Sequence, residues 1–542
     1  MKKKIKDFNK KNILNICITI VIALLAYYLL LPPINLSAPD FWVFVFVVLG
    51  VYTALSFFSF VSFVSDNGKI TTLKLSLGFK ILLSVIPCGI ALILLINFVF
   101  SPLFDSKSYA NRIDIIEGND FAQKVEPVDF TKVPLLDKDS TEKIGDRVMG
   151  EMTDLVSQFY VSNLYTQINY DNTIVRVTPL EYAGVIKYFT NRDKGITGYI
   201  KVNSVDGKAS LVRLDKGMKY VPSAMFNEDL YRKLRFSYPT EIFGVETFEL
   251  DEEGNPYWVV PTLKYVGIGL REEVSGVVIL NPITGESKKY SVGEIPSWVD
   301  HVYSANLILE QVNDWGLYNG GYFNSLFGQK NVVATTTGYN YVAQGDDIYL
   351  YTGITSVATD ESNLGFILTN LRTKETNYYL IPGAEEYSAM ASAEGQVQQM
   401  KYSSTFPLLI NLNGKATYLI SLKDNAGLVK MYAFVDVQNY QRVVVTDANK
   451  GIIEARDNYL KNSGSTGDVG SSKLETEIII KNIYTVMIDG NTYYYIVDNQ
   501  NKRYRVSIKV NEETLPFIKV GDKVKVNYVE LENIYEIVDI SI

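Results

Sequence analysis

Histidine and cysteine are nearly absent from this sequence of 542 residues. The one histidine is His301, and both cysteines, Cys17 and Cys88, stand inside long apolar runs. Residues 105–542 therefore hold no disulfide and no cysteine-ligated metal, and a Ser–His–Asp triad would have to use His301. The motifs HExxH, CxxC and GxSxG are also absent. We predict no catalytic residue, no metal site and no cofactor, so an enzyme is not the first expectation.

Acidic residues are missing from three long apolar runs near the N-terminus. These runs cover residues 12–32, 41–64 and 75–100, and Lys80 is their one charged residue. Each has the roughly 20 apolar residues needed to cross a hydrocarbon core of about 30 Å. Prolines 32 and 33 follow the first run, where a signal peptide would have a small-residue cleavage site. We predict a three-span α-helical membrane anchor over residues 1–104.

The lysines are distributed unevenly around these spans. Six precede the first span, none lies in residues 33–40, and Lys69 and Lys74 follow the second span. Because cytoplasmic loops are enriched in Lys and Arg, we predict a multi-pass cell-membrane protein with a cytoplasmic N-terminus and a large extracytoplasmic C-terminal part. The chain has a net charge of −8 and its first 80 residues have +6, so the remainder carries −14. This acidic remainder argues against nucleic acid as a partner.

The exported part is long enough for two or three domains. Its helix and strand patterns predict an α+β body with two repeated halves and a small all-β barrel, and its composition predicts a polar stalk before the body and a Gly/Ser-rich flexible linker after it. The predicted ranges are 105–138 for the stalk, 139–296 and 297–462 for the halves, 463–474 for the linker and 475–542 for the barrel. Helices are predicted to begin at Asp139 or Ser140 and at Asp300.

A strand–turn–strand pattern recurs in the predicted body. In each copy a Gly opens a strand and an Asn stands five places later, at Asn203, Asn281 and Asn370, and a looser copy has Asp436. Asn and Asp suit such turns because their side chains bond the backbone two residues on. The segments YVPSAM at 220–225 and YSAM at 387–390 add to the likeness. Together they predict an internal duplication of about 165–295 and 330–447.

Residues 248–286 resemble a PepSY-type module. Such modules pair a strand carrying Gly-x-Pro-Tyr-Trp-like residues, here 254–258, with a hairpin ending in Thr-Gly-Glu, here 284–286; the second half lacks both pieces. The resemblance implies an exported or membrane-tethered bacterial protein that binds or restrains other proteins. It marks Tyr257 and Trp258 as ligand-binding candidates. The general plan is similar to multi-span membrane proteins of Gram-positive bacteria.

Five predicted strands in residues 475–542 resemble an OB-type small barrel, and an SH3-like barrel is the alternative. Barrels of this kind bind oligonucleotides, oligosaccharides or proteins, and nucleic acid is the least expected ligand outside the cell. Tyr493 and Tyr495 belong to a row of tyrosines whose rings could stack on a ligand. We therefore add them to the ligand-binding candidates.

Three polar patterns could carry chemistry, and each fits a structural role better. Residues 251–255 offer closely spaced oxygens, but they lack the loop of an EF-hand and fit a hairpin turn better. Asp346 and Asp347 could form a carboxylate pair, although neighbouring strand residues point to opposite faces. For His301, beside Asp300, capping or packing is the expected role.

These observations predict a membrane-anchored binding or scaffold protein of the cell envelope that holds a protein or peptide partner. One alternative is a carboxylate-dependent envelope hydrolase, which a deep pocket with facing carboxylates would favour. The other is an accessory subunit of a membrane complex.

Overall fold

The computed structural model describes residues 2–66, 69–75, 77–357, 359–462, 474–488, 491–531 and 534–541. The chain forms two compact units. The first contains Met1–Asn119 and Thr131–Glu385, and the second contains Asp120–Phe130 and Glu386–Ile542. The predicted boundary between halves, 296–297, falls inside the first unit. It does so because strands on both sides of that boundary share one apolar core, which includes Val277 and Ile367.

Three apolar helices occupy the N-terminus, as the sequence predicts. They are α1 (Lys2–Leu30), α2 (Pro39–Phe60) and α3 (Leu77–Val99). Their segments Asn12–Leu30, Pro39–Phe57 and Leu77–Val99 are long and apolar enough to cross a membrane. An antiparallel hairpin, β1 (Val61–Asp66) and β2 (Lys69–Leu75), joins α2 to α3. Gly89 of α3 allows close packing, because a Cβ there would stand 2.8 Å from the ring of Phe46.

Residues 105–138, predicted as a stalk, are packed into the body. They contain α4 (Pro102–Ala110), β3 (Ile115–Ile116) and α5 (Phe121–Lys124). Tyr109 and Ile113 are buried in the first unit, and Phe121 and Val125 in the second. The segment is apolar at these positions, so it gains more from burial than from extension into water.

Besides the β1–β2 hairpin, the described part of the first unit contains three larger sheets, each preceded by a helix; the first two are antiparallel and the third is mixed. The first sheet follows α6 (Lys138–Glu151) and contains β4 (Phe159–Val161), β5 (Thr166–Tyr170), β6 (Thr173–Tyr182), β7 (Ile196–Asn203) and β8 (Ala209–Met218), with α7 (Val185–Asn191) between β6 and β7. The second follows α8 (Leu230–Ser237) and contains β9 (Ile242–Phe243), β10 (Thr247–Leu250), β11 (Pro256–Val266), β12 (Leu270–Leu280) and β13 (Ser287–Ser291). The third follows α9 (Ala305–Tyr318) and contains β14 (Val333–Thr335), β15 (Asn340–Gln344), β16 (Asp347–Ser356), β17 (Thr359–Asn370), β18 (Thr376–Tyr379) and β19 (Gly383–Ala384). Strand β3 joins this sheet by pairing with β18 in parallel.

The second unit contains a fourth such sheet and a separate five-stranded sheet. The fourth follows α10 (Glu386–Gln396), contains β20 (Ser403–Ser404), β21 (Leu408–Leu412), β22 (Lys415–Lys423), β23 (Val429–Asp436) and β24 (Val443–Asp447), and is followed by α11 (Ile452–Asn462). The last sheet contains β25 (Leu474–Ile488), β26 (Asn491–Asp498), β27 (Arg503–Ser507), β28 (Lys523–Leu531) and β29 (Ile534–Ser541), in the order β25-β26-β27-β29-β28, with β28 paired back to β25. Most of the predicted linker, residues 463–473, lies outside the described residues.

The four helix-led sheets share one strand order. In each, two short strands pair with the first long strand, the first long strand pairs with a second long strand, and the second long strand pairs with a further strand. The four orders are β4/β5-β6-β7-β8, β9/β10-β11-β12-β13, β14/β15-β16-β17-β18 and β20/β21-β22-β23-β24. The turn between the last two strands is also shared. Asn203, Asn281, Asn370 and Asp436 each accept hydrogen bonds from the backbone N–H groups two and three residues on. The two SAM segments differ, since 220–225 is irregular and 387–390 lies in α10.

Two helices begin away from their predicted starts. Helix α6 is capped by Asp137, whose side chain accepts from the N–H of Ser140, and α9 by Ser304, whose side chain accepts from the N–H of Leu307. Asp300 is therefore not a cap. It is only 2% exposed, and its carboxylate is bonded to a strand of the first sheet.

Candidate functional site

The body of the first unit is bonded to the ends of the membrane helices. After α1, the N–H of Ile34 donates to the carbonyl of Pro239 at 2.8 Å, and the Asn35 side chain donates to Thr240 O at 3.0 Å. The guanidinium of Arg235 donates to the carbonyl of Leu31 at 2.9 Å. These bonds join the loop after α1 to the chain that leads from α8 into β9.

The turn between β11 and β12 contacts the other two spans. The side chain of Asn97, in α3, accepts from the N–H of Ile268 and donates to its carbonyl, both at 2.9 Å. The N–H of Gly269 donates to Ser37 O at 3.0 Å. Gly269 has φ +73, and a Cβ there would lie 2.4 Å from Pro39 of α2, so only glycine fits without strain.

One cation–π contact and one ring–ring contact add to this attachment. The Arg232 guanidinium lies 4.3 Å from the ring centroid of Tyr28, and Phe236 packs on Tyr27 at 6.1 Å. We call this contact region, residues 31–39, 97, 232–240 and 267–269, the collar. Because it joins the ends of all three spans to the second sheet, it fixes one end of that sheet on the membrane anchor.

A cavity of about 370 Å³ opens beside the collar. Its walls come from β9, β11 and β12, which lead directly out of the collar, and from the start of α9. The apolar lining consists of Phe243, Val245, Pro261, Leu263, Val274, Val302 and Leu307, and the polar lining of Glu246, Tyr265, Glu272 and Ser304. The volume lies within the range of small-ligand sites, about 300–1,000 Å³. We call it the collar pocket.

The collar pocket is acidic. None of its twelve lining residues, all of which the structure describes, is Lys, Arg or His. Burial raises the pKa of Glu272, and the hydrogen bond from Tyr265, at 3.2 Å, opposes this shift. Burial and the neighbouring Glu272 raise the pKa of Tyr265 to about 12. Glu246 accepts a hydrogen bond from Tyr231. The pocket thus offers carboxylates above apolar walls, which suits a cation on an apolar stem.

An ion-pair network lies behind the pocket and fixes β12 against α9. Arg112 donates to Glu310 at 2.6 Å, to Asp314, and to the backbone carbonyl of Glu272 at 2.8 Å. Lys374 pairs with Glu273 at 3.0 Å. These bonds hold the backbone at Glu272 in place, so only its side chain is free to change position in the pocket.

A second acidic pair in this unit is sealed. Glu249, 0% exposed, accepts from the N–H of Asp300 at 2.7 Å and from the hydroxyl of Thr247 at 2.6 Å. Asp300 accepts from the N–H of Asn169 at 2.7 Å. Burial raises the pKa of both carboxyls, and their mutual repulsion adds to it for Asp300. No substrate reaches groups so enclosed, so we assign this pair a structural role.

The remaining polar candidates from the sequence, His301, Asp347 and Asp251, all form contacts with neighbouring residues of the body. His301 Nε2 lies 2.6 Å from Gln167 O, and its ring packs edge-on against Tyr341 at 5.7 Å, which is the predicted packing role. Asp347 forms a two-point pair with Arg372, with both bonds at 2.8 Å. Asp251 accepts from the backbone N–H groups of its own hairpin turn. In the described part of the chain, no group of three or more His, Cys, Asp and Glu could hold a metal ion.

The predicted ligand-binding aromatics are divided between the two units. Trp258 is 0% exposed and its indole N–H donates to Tyr220 O at 2.9 Å, so it is a core residue. Its neighbour Tyr257 is half-buried against Trp298, at 5.2 Å. Tyr493 and Tyr495 lie two apart on β26 in the other unit, and Tyr493 is only 7% exposed, with Arg505 over its ring.

Sequence reasoning missed the collar pocket. Its polar residues come from the second sheet and from the start of α9, and no motif links them. The available signal was two acidic residues next to apolar stretches, Glu246 between β9 and β10 and Glu272 near the start of β12.

No protein-family model matches the chain, and a comparison with curated proteins found no match.

Proposed function

We propose that this protein is a membrane-anchored binding or scaffold protein that holds a protein or peptide partner at the outer face of the cell membrane. The carrying observation is that an acidic, apolar-walled pocket is built on strands whose connecting segments contact the ends of all three spans. A partner caught there is held at a fixed height above the membrane. The lysine distribution around the spans supports an extracytoplasmic position of the body.

The chemistry of the pocket favours a basic side chain of the partner. A lysine or arginine has an apolar stem for the walls formed by Leu263 and Val274 and a cation for the carboxylates of Glu246 and Glu272. Both carboxylates are half-buried and no basic residue lines the pocket with them. Arg112, which acts on Glu272 from behind the pocket, is already bonded to Glu310 and Asp314, so a cation from the partner is stabilised in the pocket itself. The net charge of −14 outside the first 80 residues attracts basic partners as well.

We further propose that the four helix-led sheets are copies of one PepSY-like unit, and that the C-terminal strands form an OB-type binding module. The shared strand order and the four Asx turns support the first proposal. The strand order of the last sheet and its core, which includes Ile496, Val506 and Ile537, support the second.

Photo-crosslinking tests the binding proposal. A photoreactive amino acid replaces Val245, 70% exposed at the pocket, in the full chain in its native membranes, with Val292, 44% exposed outside it, as the matched site. We expect a protein or peptide adduct at 245 that is absent at 292 and is lost when Glu246→Gln and Glu272→Gln are combined. The same adducts at both sites, or lipid adducts alone, would overturn the proposal.

Orientation has its own test. A membrane-impermeant thiol reagent on intact cells should label Glu252→Cys, an exposed position of the body, and spare Lys3→Cys. The reverse pattern would place the body in the cytoplasm.

A carboxylate-dependent hydrolase is the second candidate, because two carboxyl side chains line the same pocket. In that case Glu272→Gln would abolish turnover of the captured partner while the Val245 adduct remained.

A further inference from the structure

An aromatic loop after α9 turns its apolar side chains outward. Residues 321–329 include Phe323, Leu326 and Phe327, which are 65%, 52% and 80% exposed. The loop is nevertheless fixed, because the Asn324 side-chain amide bonds both the N–H and the carbonyl of Lys330, at 3.3 and 3.0 Å. A fixed loop that exposes three large apolar side chains marks an interaction surface.

Ring contacts connect this aromatic loop to the end of the third span. Tyr109, shortly after α3, donates to the carbonyl of Phe100 at 3.1 Å, and its ring packs edge-on against Tyr318 of α9 at 6.0 Å. The path continues through stacked or edge-on pairs: Tyr318 with Tyr322 at 6.4 Å, Tyr322 with Phe323 at 5.7 Å, and Phe323 with Phe327 at 6.5 Å. At the membrane end, Phe104 is 62% exposed and packs on Phe98 of α3 at 5.0 Å.

We propose that the aromatic loop lies in the interface of the same bilayer that α3 crosses. One hydrogen bond and then a series of ring contacts connect the loop to the end of α3, and this connection favours lipid over any other apolar partner. Aromatic side chains concentrate at the headgroup level of membranes, and lysines there meet lipid phosphates. Lys107 and Lys330 are exposed beside these rings. This contact is independent of the collar pocket and gives the body a second point of support on the membrane.

Quenching of a fluorescent label tests this proposal in the full chain. Cys17 and Cys88 are replaced by Ser, and an environment-sensitive fluorophore is attached at Phe327→Cys or at Glu252→Cys in phosphatidylcholine/phosphatidylglycerol vesicles. Glu252 is exposed in the turn at the end of β11 away from the collar. The eleven residues of β11 span roughly 35 Å, since a strand rises about 3.3 Å per residue.

We expect brominated lipids to quench the label at 327 at least threefold more than the label at 252, and iodide in the water to do the reverse. Equal quenching of both labels by iodide would show that the loop is in water. Protection of the label at 327 from both quenchers would show that protein covers it. Either result overturns the proposal, and because position 327 is 80% exposed, the label does not disturb the core.

Discussion

Two acidic pairs in the first unit have the same chemistry and opposite surroundings. Glu249 and Asp300 are sealed, at 0% and 2% exposure, and every carboxylate contact that the structure gives them is internal. Glu246 and Glu272 line a cavity of about 370 Å³. Glu246 and Glu249 stand close together in the chain, so local sequence does not decide the role. What decides it is whether a partner from outside can reach the carboxylate.

The largest expected effect is on the sealed pair. Glu249→Ala removes the acceptor for the N–H of Asp300 and for the hydroxyl of Thr247, and should lower the free energy of unfolding by about 3 kcal/mol. Glu272→Ala, the matched change at the open pair, should cost less than about 1 kcal/mol. Thermal unfolding of both variants in detergent measures the difference, and equal losses would erase the distinction between the pairs.

Breaking the collar should cost somewhat less. Gly269→Ala places a Cβ against Pro39 in a backbone with φ +73, and we expect a loss of about 2 kcal/mol. Gly293→Ala is the control, because it has φ +94 but nothing within 4 Å of its Cβ. The difference between the losses in unfolding free energy of the two variants measures the contact between Gly269 and Pro39. Equal losses would mean that this collar contact does not hold the collar pocket in place.

The pH dependence of stability should come from the sealed pair. Both carboxyls have a pKa above their ordinary values when folded, so the folded state binds protons more tightly. Their stabilising effect is complete below the ordinary pKa, near 4, and is lost as pH rises towards the raised pKa, at about 1.4 kcal/mol per pH unit for each carboxyl. Glu249→Gln, which mimics the protonated acid, should flatten this decline in a series of melting curves. An unchanged slope would assign the pH dependence to other groups.

At the open pair, Glu272→Gln should weaken partner binding without lowering stability, in contrast to changes at the sealed pair. It removes one charge from the collar pocket, so the yield of the Val245 adduct should fall about tenfold while the melting temperature stays the same. Acidification should reproduce the loss in the wild type as Glu272 protonates. A fall in melting temperature with an unchanged adduct would make Glu272 a structural residue.

The smallest effect is expected at the one histidine. His301→Gln retains a donor for Gln167 O and loses the ring contact with Tyr341, so it should cost about 0.5 kcal/mol and leave the Val245 adduct unchanged. A lost adduct in a normally folded variant would give His301 a functional role.

Local patterns in the sequence predicted the local parts of this fold. The three spans follow from composition, and the turns at Asn203, Asn281 and Asn370 follow from the chemistry of one side chain. The burial of Trp258 could be recognised only from the tertiary structure. Strand β11 is buried on both faces, with Trp258 in one core and Val259 in the other, so the alternation that would expose one side is missing. The collar pocket likewise arises only when β9, β11, β12 and α9 meet.

The segment Asp120–Phe130 belongs to the second unit although it precedes most of the first. The side chain of Asn411 donates to the carbonyl of Val125, 286 positions earlier in the chain, and Phe130 packs on Phe434 at 6.0 Å. A ribosome adds about 5–20 residues per second, so during synthesis this piece waits for tens of seconds before its partners exist. During translation, the apolar side chains of Asp120–Phe130 therefore lack the residues that they pack against in the folded protein. The rate of elongation and any chaperone at the exit site should therefore decide how much of this protein matures.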